Sequence, residues 1–473
     1  MIVGVLAFRL SGVTAAGAAF TSAMILWALG IFSPPEVNHL RRALSDSLVL
    51  ELLVGLVVFC GLVFVEVSRR GGALEALSGI INSLNLDRPR AVILITLGVG
   101  VMIESLTGYG VSMLLTVPLL LQIVDRDKTM CLALIGMSLM PWGALSVAAL
   151  LGAELAALSP EALAHSVVTT SGPIAVILPL ACLLFVREIT SRDLVYALLS
   201  GVVLTVGIAS ASRWIGVEAA GVGGGLSIIF FMLLSAGAGK NFCHLFSHPG
   251  VLPYGFLISG VVLQKLVSPH LSAFRETLTI ATEGASFSVL DSPAVALIGA
   301  SLLVIAMRPV LWLGSENPPL LGQVAKRSWR ALLSILLFLL AARIMVEVGG
   351  ISALAAALSD LGHYPAVAVV AFLGGVGAYV TGSGVTSNAL FMPSAAATGQ
   401  SLDCHALFAA LQHSGAGHVA MASLPVIALL LTALPQRMKD DERIAMRMGL
   451  VLAAFWMLII IASGMLQVGL SNR

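Results

Sequence analysis

The sequence predicts an all-α polytopic membrane protein. Three observations carry that prediction: the composition, the spacing of apolar runs, and an internal repeat built around broken helices. Apolar residues make up 58% of the 473 and charged residues 10%, with a mean hydropathy of +1.02. Soluble domains carry about 25% charged residues. So little charge cannot cover a surface facing water, and lipid is the expected solvent. The net charge of +1 argues against a nucleic-acid or polyanion partner. Glycine is abundant, as closely packed membrane helices require. The cysteines (Cys60, Cys131, Cys182, Cys243 and Cys404) are far apart and never spaced as CxxC. Neither a disulfide framework nor a zinc site is predicted, and no metal or organic cofactor is expected.

Apolar runs near 20 residues mark membrane helices. They fall at about 12–32, 46–67, 130–151, 172–187, 194–211, 221–236, 250–267, 293–307, 331–348, 405–434 and 448–470. The first lacks a clear cleavage site and reads as a retained helix. Two further segments, 91–124 and 364–398, are each too long for one helix and are interrupted centrally by Gly and hydroxyl residues. Each is expected to fold back as a re-entrant hairpin. With the N-terminus inside, 18 Lys and Arg fall inside, five outside, and two (Lys265, Arg343) within spans, accounting for all 25. That bias follows the positive-inside rule and predicts a multi-pass protein of the cell (inner) membrane with a cytoplasmic N-terminus. The first hairpin is flanked by Arg88, Arg90, Arg126 and Lys128 and is placed inside; the second has no basic flank and is placed outside.

The chain repeats itself. V-E-V-S-R-R-G-G-A-L-E-A-L (65–77) is matched by V-E-V-G-G-I-S-A-L (346–354), and each precedes a hairpin. The hairpin breaks read TGYGVS (107–112) and TGSGVTSN (381–388). Each hairpin precedes an interrupted span, broken at Pro141-Trp142-Gly143 in the first repeat and at 412–418 in the second. The matching spans run in opposite directions, so the repeats are inverted, an architecture typical of secondary transporters. The divisions are an N-terminal span and outer loop (1–45), repeat one (46–193), connecting spans and an inside loop (194–330), and repeat two (331–473).

Irregular backbone at membrane depth is tolerated where it lines a cavity. Helix ends at the breaks offer free N–H groups and a positive dipole end. Gly108, Gly110, Gly382 and Gly384 let backbone approach a ligand. Thr107, Tyr109, Ser112, Thr381, Ser383, Thr386, Ser387, Asn388, His413 and Ser414 add hydrogen-bonding groups. Together they suit a small organic anion with neighbouring hydroxyls. The plainer reading is that Gly and Ser merely pack helices closely; two clusters at matching points favour a site. Ionisable groups inside a membrane are usually functional. Glu104 beside the first break is the leading candidate to carry a coupled proton, with His413 and His418 as further candidates. Their plainer readings are a salt bridge or cap for the acid and neutral core imidazoles for the histidines. Arg343 and Glu347 read as an i,i+4 ion pair. Gly237-Ala238-Gly239-Lys240 lacks the earlier Gly and the following Ser/Thr of a phosphate loop. A Ser383–His413 dyad is the one conceivable enzyme site.

I-E-S-L-T-G-Y-G (103–110) resembles the F-x-E-G-x-x-G-F-G of the lactate permease family. T-G-S-G-V-T-S-N-A-L-F (381–391) resembles its T-G-S-x-x-S-S-N-A-L-F, and 412–425 is similar to its N-S-S-G-G region. The resemblance covers most of 46–187 and 331–434. It implies proton-coupled uptake of lactate, glycolate or similar 2-hydroxy monocarboxylates by an elevator-type secondary transporter. Such carriers often use a dimeric scaffold, which leaves a homodimer open. The chain departs from the pattern in lacking the family's E-G-A-A-G, in carrying Ala420 where a Lys stands, and in having His413 and His418. The alternatives are a carrier of the same fold for another organic anion, sodium-coupled or exporting, and an intramembrane enzyme or channel.

Overall fold

The computed structural model describes residues 12–84, 86–108, 110–235, 251–307 and 319–471. Cys243, Gly237–Lys240 and Tyr109 lie outside the described residues. Among the described residues, apart from one two-stranded ribbon, β1 (Thr279–Ala281) with β2 (Ser286–Ser288), the regular elements are helices. Among the described residues, nine helices are long and apolar enough to cross a membrane, ten with one bent pair counted.

The described residues open with α1 (Gly12–Ala28) and the long α2 (Val37–Arg70). A left-handed Gly72 (φ 73°) ends the run and starts the short α3 (Ala73–Ser83). The hairpin that follows has a long leg, α4 (Arg88–Thr107), and a short one, α5 (Val111–Leu120). α4 loosens into a π-helical stretch at Leu94–Val99. Its 20 residues make it about 30 Å long, about the thickness of a bilayer core. The broken helix α6 (Arg126–Leu155) follows. Then come α7 (Pro160–Leu183), α8 (Ser191–Trp214), α9 (Val217–Ser235) and α10 (Leu252–Val267). α11 (Ser272–Thr277) and the ribbon lead to α12 (Ala294–Met307) and α13 (Leu320–Glu347). Here the same order of elements recurs. Gly349 (φ 81°) introduces the short α14 (Gly350–Ser359). A hairpin of α15 (His363–Thr381) and α16 (Gly384–Ser401) follows, then the bent pair α17 (His405–Val419) and α18 (Leu424–Ala433), and α19 (Asp441–Ser471) closes the chain. The V-E-V…G-G match therefore has a local cause: each copy ends a long helix at a left-handed glycine, a conformation that costs other residues energy.

Side-chain contacts across each break show that the legs fold back on one another. In the first hairpin Ser112 Oγ donates to Glu104 Oε2 at 2.7 Å. In the second Ser387 Oγ donates to the Gly374 carbonyl at 2.7 Å. α2 and α13 pack antiparallel. Asp46 pairs with Arg343 at one end; at the other, Arg327 reaches Glu66 at 3.7 Å and Arg70 donates to Gln323 at 2.9 Å. The expected Arg343–Glu347 pair is the looser contact, at 4.0 Å, because buried Asp46 offers Arg343 a closer carboxylate. Lys265, placed within a span by its sequence, pairs with buried Glu218 at 2.7 Å.

Two boundaries differ from expectation. The segment 152–171 is not a simple loop: α7 begins at Pro160, capped by Ser159 accepting from the Ala162 N–H at 3.1 Å. Its polar residues fold their hydroxyls back, as Thr170 does onto the Ser166 and Val167 carbonyls. The break in the second interrupted span also lies elsewhere. Residues 412–418 are continuous helix, and the interruption falls at Ala420–Ser423, where the axis bends by 43°. The glycines that suggested a break serve close packing instead. A Cβ on Gly415 would sit 2.2 Å from the Ala371 carbonyl oxygen, and one on Gly417 2.4 Å from Pro141. The actual stop is Ser423, which caps α18, with Pro425 in its first turn.

Candidate functional site

The two hairpin tips face one cavity of about 270 Å³. Gly108 and Gly110 come from the first tip, and Thr381, Gly382, Ser383, Gly384 and Thr386 from the second. Three of these glycines have positive φ: Gly108 (68°), Gly110 (70°) and Gly382 (75°). Each tip also sits hard against a broken helix. A Cβ on Gly108 would lie 2.7 Å from Ala144 Cβ, and one on Gly382 2.8 Å from Pro425.

The broken helices complete the wall. In α6, Pro141 cannot donate a backbone hydrogen bond. The chain passes through a 3₁₀ turn (Met137–Trp142), then Ala144, Leu145 and Ser146 in left-handed conformation. Ser146 Oγ donates to the Val217 carbonyl at 2.7 Å and secures this unusual run. Gly143, Ala144, Val147 and Ala148 line the cavity from the first broken helix; Pro425, Val426 and Leu429 do so from α18. The N-terminal ends of four helical segments therefore open on one space: α5, α16, α18 and the second half of α6. Positive dipole ends converge there, with first-turn N–H groups held by local caps: Gly110 by Glu104, Thr386 by Ser383 and Val426 by Ser423. Among the described residues, no Lys, Arg or His side chain lines the cavity.

Glu104 is buried and lines the cavity. Its carboxylate accepts from the Gly110 N–H at 3.0 Å and from Ser112 Oγ at 2.7 Å, so it ties the first tip together. Thr107 turns away and donates to the Ile103 carbonyl at 2.6 Å. Ser112 serves Glu104, and Ser387 serves the Gly374 carbonyl. Asn388 lies behind the cavity, donating to the Ala148 carbonyl at 2.8 Å and to His413 Nδ1 at 2.9 Å. His413 Nε2 faces the Pro141 carbonyl at 3.1 Å. This pattern describes a neutral imidazole donating from Nε2. With both nitrogens occupied, no Ser383–His413 dyad forms. Ser383 instead caps α16 through the Thr386 N–H at 3.4 Å. Ser414 bonds Thr170 and Ser171 of α7 at 2.7 and 3.0 Å. His418 is fully buried beside the Ser138 backbone.

The structure thus brings Glu104, Gly108, Gly110, Thr381, Gly382, Ser383, Gly384 and Thr386 onto the cavity. It leaves Thr107, Ser112, Ser387, Asn388, His413, Ser414 and His418 in the supporting layer. Sequence reasoning missed the opposite wall, to which α2 contributes Val58 and α13 contributes Ile335 and Phe338. Nothing distinguishes these residues in sequence from their apolar neighbours. The α18 residues had a signal, Ser423-Leu424-Pro425, which is a capping residue followed by a helix-breaking proline.

A helical membrane protein whose paired hairpin tips and broken helices enclose a small cavity is, by class, a polytopic membrane transporter. The chain belongs to the L-lactate permease family, whose model matches residues 1–244 and 226–470. It is accordingly a membrane transporter of a lactate-like substrate. No curated protein matches it.

Proposed function

We propose that the protein is a secondary active carrier for proton-coupled uptake of lactate, glycolate or a similar 2-hydroxy monocarboxylate across the cell inner membrane, its N-terminus cytoplasmic. The observation that carries this reading is the convergence of four helix N-termini and one carboxylate on a cavity without a cationic side chain among the described residues. The substrate carboxylate takes the backbone N–H groups at the tips, and Ser383 and Thr386 stand beside them for its hydroxyl. The hairpins are re-entrant from opposite faces, the repeats are inverted, and hairpins and broken helices move together as the elevator.

Moving a monocarboxylate towards a negative interior is uphill by about 2.3 kcal/mol per charge per 100 mV, so a cation must accompany it. Glu104 is suited to carry that proton. Ionised, it repels an incoming carboxylate and holds the Gly110 and Ser112 donors to itself. Protonated, it tolerates the anion and can donate to it. Proton and substrate binding then favour each other reciprocally. In proteoliposomes Glu104→Gln is expected to retain substrate exchange, lose accumulation driven by a proton gradient, and flatten the pH dependence of exchange. A Glu104→Gln carrier that accumulates substrate as well as the parent overturns the assignment.

A further inference from the structure

The cavity is divided in its chemistry. Its polar groups (the tip backbone, Glu104, Ser383 and Thr386) all come from the hairpins, while the broken helices add backbone ends. The facing wall comes from α2 and α13 and is apolar, with Val58, Ala331, Ile335 and Phe338 at its surface. Ser334 is the single hydroxyl there, and its Oγ donates to the Arg330 carbonyl at 2.8 Å within its own helix. The broken helices extend this apolar lining with Val147 and Leu429. A ligand held by its carboxylate at the tips therefore points its carbon tail at a wall that, among the described residues, offers no free side-chain donor.

The volume exceeds what a methyl tail uses. A cavity of 270 Å³ corresponds to about nine waters at roughly 30 Å³ each. Lactate bound at the tips would leave most of the apolar wall wet. Every added methylene that covers it is removed from water and tightens binding about three- to fourfold. A second carboxylate on the tail would lose its water and find no partner, which is unfavourable.

We infer that Val58, Ile335 and Phe338 form a tail subsite, so that the carrier takes 2-hydroxy monocarboxylates with apolar tails longer than a methyl and discriminates against dicarboxylates. This rests on the reading of the tips as the carboxylate site. The geometry also gives the two sides separate tasks: the hairpins recognise what all substrates share, and α2 and α13 select among tails.

The test is competition against labelled lactate in proteoliposomes of the full chain. The competitors are glycolate, 2-hydroxybutyrate, 2-hydroxy-4-methylpentanoate and malate. Half-inhibition concentrations should fall about three- to fourfold per methylene, with malate the weakest competitor. In Ile335→Phe, which fills the subsite, the ratio of the lactate to the 2-hydroxy-4-methylpentanoate constant should collapse towards one. In Phe338→Ala, which enlarges it, the optimum should move to longer tails. These ratios do not depend on how much folded carrier each preparation holds. Potency that is flat or falling with tail length, malate competing as well as lactate, or an unchanged ratio in both variants overturns the tail subsite while lactate uptake leaves the transport reading standing. Absence of saturable lactate uptake in the parent overturns both.

Discussion

Glu104 and His413 are two of the titratable side chains that the sequence sets beside a break or a cluster of small residues, and their surroundings give them different work. Glu104 faces the cavity and accepts from groups of its own tip. His413 stands behind it and joins Asn388 of α16 to the Pro141 carbonyl of α6. Its place is that of a bracket between the second hairpin and the first broken helix. His413→Ala orphans a buried donor and a buried carbonyl, each costing about 1–3 kcal/mol. The expected outcome is a lower unfolding temperature in detergent, with the pH profile of the remaining exchange unchanged. A flattened profile would instead make His413 the proton carrier. At this scale sequence narrowed the acids well but could not rank the hydroxyls. Thr107 and Thr386 look alike in their motifs, yet one turns back onto its own helix and the other lines the cavity.

At the scale of elements, the tips depend on glycine where two conditions coincide. Gly108 has positive φ, and its missing Cβ would lie 2.7 Å from Ala144 Cβ. Gly108→Ala therefore meets both backbone strain, of order 1–3 kcal/mol, and a clash with the left-handed run of α6. Transport is expected to fall at least tenfold while the purified protein still elutes as a folded, helical species. Gly79→Ala in α3 is the control, because it lies outside the cavity lining and its Cβ position meets no neighbouring group within 4 Å, and it should retain substantially more activity. Uptake by Gly108→Ala equal to that of Gly79→Ala would show that the tip does not need its tight fit. The same comparison explains the misplaced second break. Glycine serves left-handed turns and close contacts equally, and spacing alone does not distinguish the two, so Gly415 and Gly417 read as an interruption inside an intact helix.

For the molecule as a whole, orientation is the property that charge predicts most directly. The ends of the two hairpins should label from opposite faces. In a background free of native cysteines, Asp87→Cys is expected to react with an impermeant thiol reagent only from the cytoplasmic side and Asp360→Cys only from outside. Both sites are exposed. Labelling of both from one face would dismantle the inverted arrangement. Composition and apolar periodicity were enough to read a helical membrane protein with paired broken elements, because lipid demands apolar spans and internally satisfied backbone. At the two hairpin tips the glycine and hydroxyl clusters showed where the chain breaks, because few residues other than glycine tolerate the positive φ found at Gly108, Gly110 and Gly382. Which side chains meet across the breaks was not legible. The cavity's far wall comes from Val58 and Phe338, ordinary residues of ordinary apolar runs, brought opposite the tips by the packing of α2 and α13. Apolar contacts are non-directional and leave no local signature, so their partners are settled by how the helices pack.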